Sequence, residues 1–122
     1  MSSKQSNPPT LDELKKARTS AKRALTLQIA NVREILAIDD PAHDEELSSE
    51  RHALVRVFRE FKASHNVYVD NLVEQSEPGE QLDLELEKQA NYYATEQSCF
   101  TIILEKVRDR FGIDNELSLI HI

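Results

Sequence analysis

Tryptophan is missing from this chain, cysteine occurs once, glycine twice and proline four times. A single thiol, Cys99, closes no intramolecular disulfide and builds no cysteine zinc site. Two glycines supply too few tight turns for an all-β domain and no glycine-rich loop to cradle phosphate. All four prolines fall outside the periodic stretches, so no long helix is interrupted. No apolar run approaches the roughly 18 residues of a membrane span, and no charged-then-apolar leader opens the chain. Those features predict an intracellular protein, cytoplasmic or nuclear, without a membrane partner. Positive charge is also in deficit: 15 Lys and Arg face 22 Asp and Glu, a net charge of −7. Nucleic-acid binding is therefore expected to be weak or absent.

What the chain does contain is a heptad. Leu47, Arg51, Leu54, Phe58, Phe61, His65, Tyr68 and Leu72 alternate steps of four and three, one seam along one helix face. A first helix over residues 11–37 carries Leu11, Leu14, Ala21, Leu25, Ile29, Val32 and Leu36. A third, over residues 80–111, carries Leu82, Leu86, Ala90, Tyr93, Phe100, Ile103, Leu104, Val107 and Phe111. The punctuation agrees. Thr10 and Glu13 form a capping-box pattern. Asp40-Pro41 ends the first helix and caps a second, over residues 42–75. Ser76-Glu77-Pro78-Gly79 makes the second break, and Gly112 is a stop signal after Lys106, Arg108 and Arg110. Short links force neighbours to run antiparallel. The expected fold is all-α: an elongated up-down-up bundle of three long antiparallel amphipathic helices, each about 40–50 Å long. It forms one domain, residues 11–112, after a disordered start at residues 1–10. Residues 113–122 break the period and are expected to form an irregular tail. Ser118–Ile122 reads either as a packed tail or as translated library-adaptor sequence, an artefact of chain truncation.

Candidate chemistry is sparse. His65 lies in the seam, but no Glu stands three residues before any histidine, so the metal signature of helical bundles is missing. The expectation is a seam histidine, its ring partly buried and one nitrogen hydrogen-bonded. Arg51, Gln28 and Gln89 are expected to be polar layers that fix helix register. Cys99 has no basic residue within a turn to lower its pKa and is expected in the core or at its boundary. No catalytic, cofactor-binding or metal residues are assigned, no cofactor or small-molecule substrate is expected, and the chain is not expected to be an enzyme.

Two surface features stand out. Lys15, Lys16, Lys22 and Arg23, with Arg18, make the first helix basic: residues 11–37 hold six basic against three acidic side chains. Both other helical segments are net acidic. The basic patch is therefore expected to face its own acidic neighbours rather than an outside polyanion. Val55, Val57, Val67, Val69 and Val73, with Tyr92 and Ile102 on the third helix, widen the apolar surface beyond one seam. Val55, Val69, Val73 and Tyr92 are the expected interaction surface for a protein partner, in the first instance a second copy as an antiparallel homodimer.

The order of residues also carries a family likeness. LKKARTSAKRALTLQIANVREIL, ELSSERHALVRVFREFKASHNVYVDNL and YYATEQSCFTIILEKVRDRF, within residues 11–111, resemble the helical domain near the start of Bel/Pao-type retroelement polyproteins. The shared features are the basic first helix, the Phe58–Phe61–His65–Tyr68 run and the aromatic third helix. The resemblance implies a Gag-side, protein-interacting module upstream of an aspartic protease. The protease, zinc-knuckle and polymerase motifs are not in this sequence, so the resemblance implies a fragment, a truncated copy or a co-opted remnant. A cellular coiled-coil adaptor or scaffold unrelated to retroelements is the alternative.

Overall fold

The computed structural model describes residues 9–111, and among them every regular element is helical. α1 spans Leu11–Ile38, α2 Asp44–Gln75 and α3 Glu80–Arg110. They form an up-down-up antiparallel bundle. The expected disordered start, apart from Pro9 and Thr10, the Gly112 stop and the irregular tail lie outside the described residues.

Local chemistry accounts for each boundary. Thr10 caps α1 by accepting from the Glu13 amide (3.1 Å), while the Glu13 carboxylate accepts from the Thr10 amide (3.0 Å). At the other end Asp39 adopts a left-handed conformation, φ 55°, ψ 50°, which breaks the helix. A short aspartate tolerates that region better than most residues. Asp40 accepts from the Ala42 amide and Pro41 follows, but the pair opens a single 3-10 turn, Pro41–His43, rather than α2 itself. α2 starts at Asp44 with Asp44, Glu45 and Glu46 in its first turn, where the positive end of the helix dipole favours them.

The α2 seam is buried from Leu47 to Leu72 apart from Arg51, which is half-buried. The other two helices follow stricter heptads than the apolar residues alone indicated. In α1 the line is Leu11, Leu14, Arg18, Ala21, Leu25, Gln28, Val32 and Ile35. Arg18 is not on the outer basic face; it is 4% exposed and fills the seam position between Leu14 and Ala21. In α3 the line is Leu82, Leu86, Gln89, Tyr93, Glu96, Phe100, Ile103 and Val107. Ala90, expected inside, is exposed because Gln89 takes that place, and Phe111, also expected inside, is exposed past the end of the helix. Two further expectations are corrected. Val57 is buried, since its position beside the α2 seam is covered by the packing of the bundle, and Cys99 is exposed, one position before the inward Phe100.

The core runs through Leu25, Ile29 and Val32 of α1, Leu54, Phe58 and Phe61 of α2, and Ile103 and Val107 of α3. Burying each large aliphatic or aromatic side chain contributes about 1.5–3 kcal/mol. α1 and α2 lie closest together, whereas α3 stands further off. Rings fill the difference: Phe58 stacks on Phe100 (4.1 Å between centroids) and Phe61 on Tyr93 (5.9 Å). One ion-pair cluster closes the end of the bundle, where Arg110 of α3 donates to Asp39 (2.9 Å) and Asp44 (3.1 Å) at the α1–α2 corner.

Candidate functional site

The heptads of all three helices place a polar residue at one level, and these three residues meet. Arg18, His65 and Gln89 are the buried polar side chains of the described chain, at 4%, 5% and 6% exposure. Nη1 of Arg18 donates to Nδ1 of His65 (3.1 Å) and to Oε1 of Gln89 (2.6 Å). Nε2 of Gln89 in turn donates to Glu85, one turn earlier on α3 (2.6 Å).

This connectivity fixes protonation states. A guanidinium is donor-only, so Nδ1 of His65 must accept and the ring carries its proton on Nε2. A second proton on the imidazole would destroy that acceptor and set two cations side by side. Burial first, and the Arg18 charge second, accordingly lower the His65 pKa below its ordinary 6.5. Gln89 is oriented by the same logic, carbonyl toward Arg18 and amide toward the Glu85 carboxylate.

Burying a cation is costly unless its surroundings compensate. No carboxylate among the described residues lies at ion-pair distance from Arg18. Instead the guanidinium carbon lies 4.3 Å from the centre of the Tyr92 ring and 4.6 Å from that of Tyr68. Each such face is worth about 0.5–2 kcal/mol when water is excluded. Glu85 adds negative charge at one remove, through Gln89. Nε of Arg18 is buried without an acceptor, as is the Tyr93 hydroxyl. Tyr93 stacks against the His65 ring (5.0 Å), and burial pushes its phenol pKa up. The site is thus an aromatic box around one cation, closed by a neutral imidazole and a carboxamide. It can hold three helices at a fixed level and respond to a proton.

The sequence-derived candidates distribute around it. His65 is the buried, singly bonded seam histidine that its position predicts, and Gln89 is in a polar layer. Gln28 makes a second polar link, donating to the side chain (2.6 Å) and backbone (3.1 Å) of Glu50 on α2. Tyr92, expected on an outer interaction surface, is half-buried over Arg18 instead. Val55 and Val69 are half-buried, and Val73 is exposed. In the basic patch, Lys22 faces Glu96 of α3 at 3.8 Å and Lys16 pairs with Asp12 on its own helix, while Lys15 and Arg23 stand exposed. The residue that sequence reasoning missed is Arg18. Its signal was the seven-residue gap between Leu14 and Ala21 in an otherwise regular stripe.

Among the described residues no group of three His, Cys, Asp or Glu side chains is placed to hold a metal ion, and no helix is long and apolar enough to cross a membrane. The depression at the α2–α3 turn, bordered by Leu72, Ser76, Gln81 and Leu82, is open to solvent. Comparison with protein-family models, with curated proteins and with solved structures gives no match to this chain.

Proposed function

We propose that this chain is a non-catalytic helical assembly module whose partner is another protein, in the first instance a second copy of itself. One observation carries the reading: the division of labour between inside and outside. The concentrated polar chemistry, Arg18 with His65 and Gln89, is spent on holding the three helices together. Large apolar side chains, by contrast, are left outward on every helix: Leu27 at 67% exposure, Val67 and Val73 on α2, and Leu84 at 62% and Ile102 at 54% on α3. Outward leucine and isoleucine at this level of exposure suit helix-on-helix association. The Gag-like side of the proposal, a structural piece of a Bel/Pao-type polyprotein, is supported by the sequence resemblance in residues 11–111.

Light scattering over a range of protein and salt concentrations tests the proposal. The net charge of −7 opposes the approach of copies, so association should strengthen as salt screens it. Leu84→Lys and Ile102→Lys should shift the weight-average mass toward the monomer while leaving helicity unchanged. A strict monomer at high micromolar concentration in moderate salt would remove self-association and leave a monomeric adaptor as the surviving reading.

A further inference from the structure

α3 is attached unevenly. Its buried residues are Gln89, Ile103 and Val107. Between Glu80 and Phe100, then, beside the half-buried seam residues Leu82, Leu86 and Glu96, the fully buried attachment is Gln89, assisted by the half-buried Tyr92 and Tyr93. Gln89, Tyr92 and Tyr93 converge on Arg18 and His65: Gln89 through its hydrogen bond, Tyr92 over the guanidinium and Tyr93 over the imidazole. The far half of α3 is fastened separately by Ile103, Val107 and the Arg110 ion pairs.

We propose that the Arg18–His65–Gln89 layer is an acid-sensitive latch: a proton taken up at Nδ1 of His65 uncouples Arg18 and releases residues 80–93 of α3, while residues 101–110 stay docked. The groups around His65 define the response. From α1 it faces Arg18, a fixed cation, with Lys22 one turn on already engaged by Glu96. From α3 it faces Tyr92 and Tyr93, with Glu85 behind Gln89. From its own helix it faces Phe61, with the Tyr68 ring 4.6 Å from the Arg18 guanidinium carbon. None of these is a carboxylate in contact with the ring, so the new N–H meets a donor and a positive charge. α1 and α2 are the closely packed pair, so the strain is relieved at the helix that is held least. Release uncovers the aromatic faces of Phe61, Tyr68 and His65, which gives a partner helix access to the seam only in acid.

The sign follows from linkage. The unfolded or undocked chain titrates near the ordinary 6.5, whereas the docked ring titrates lower. The latch is fully effective above 6.5 and weakens as pH falls from there toward the docked value, by at most tenfold in the docking equilibrium for each pH unit. Hydrogen exchange, corrected for the intrinsic pH dependence of amide chemistry, reads this directly. In the wild-type chain, protection of residues 80–93 should fall between pH 7.0 and pH 5.5 by severalfold, while that of residues 101–110 stays level. His65→Gln keeps an acceptor for Arg18 but takes up no proton, and its residues 80–93 should lose no protection over the same range. An NMR titration of the wild-type imidazole, which needs no variant, should place its pKa below 6.5 and show the Nε2–H tautomer at neutral pH. Equal loss of protection in His65→Gln, equal loss along all of α3, or an imidazole pKa at or above 6.5 would each overturn the latch.

Discussion

Replacing Arg18 by Met separates the two opposing contributions of a buried cation. Met fills much the same space as the arginine stem, so packing against Tyr68 and Tyr92 is largely retained. What disappears is the donor. Nδ1 of His65 and Oε1 of Gln89, both in buried side chains, lose the donor nitrogen that now lies 3.1 and 2.6 Å from them. Each unsatisfied buried acceptor costs about 1–3 kcal/mol, and the lost cation–ring attraction adds about 0.5–2 kcal/mol. Removing the charge returns part of this, because a neutral thioether carries no desolvation penalty. The expected net loss is about 2–4 kcal/mol. The second half of the experiment is the triple replacement Arg18→Met, His65→Leu, Gln89→Leu. With donor and both acceptors gone, no polar group of the trio is stranded, and the triple variant should recover most of the loss. Urea unfolding at pH 7.5, followed by helical circular dichroism, measures both. An Arg18→Met chain as stable as wild type would mean that the layer does not bear on stability. A triple variant less stable than Arg18→Met would mean that shape, not hydrogen bonding, dominates there.

Two further outcomes follow from other parts of the bundle. Phe61→Ala should cost about 3–5 kcal/mol, because its ring is fully buried and stacks on Tyr93; an unchanged urea midpoint would show that the α2 face packs differently. Arg110→Ala should cost about 1 kcal/mol, a loss that shrinks at high salt, since its partners Asp39 and Asp44 are themselves solvent-accessible; a salt-independent loss would point to packing of the arginine stem instead.

The helices and their order were legible because three independent signals coincided: the four–three seam of α2, the Thr10–Glu13 cap and the breaks at Pro41 and Pro78-Gly79. The inner faces of α1 and α3 were legible only where the seam residue was apolar. At position 18 the heptad demanded an inward residue and the chemistry of arginine argued for solvent. The heptad prevailed because Tyr68, Tyr92, His65 and Gln89, distant in sequence, supply rings and acceptors there. The same conflict displaced the α3 line by one residue, from Gln89 to Ala90. His65 could be placed in the seam from spacing alone, but its partner could not, because a donor on another helix leaves no mark on the local pattern. Tyr92 could be placed at the seam's edge; that it covers a cation required Arg18 to be inside.

The polar links occupy different levels with different chemistry: Arg18 with His65 and Gln89, Lys22 with Glu96, Gln28 with Glu50, and Arg110 with Asp39 and Asp44. That ordering constrains how the length of such a chain can drift over generations. Seven residues inserted into α1 beyond Arg18 would keep every stripe in phase, yet would leave Arg18 opposite Leu72 when the remaining levels were matched, and seven deleted there would leave it opposite Phe58. A change of length confined to one helix thus strands a charge against a ring or a leucine, and a tolerated one must occur in all three helices together or fall in a turn. The two turns, at Asp39-Asp40 and at Ser76-Glu77-Pro78-Gly79, are where relatives of this chain are expected to vary in length.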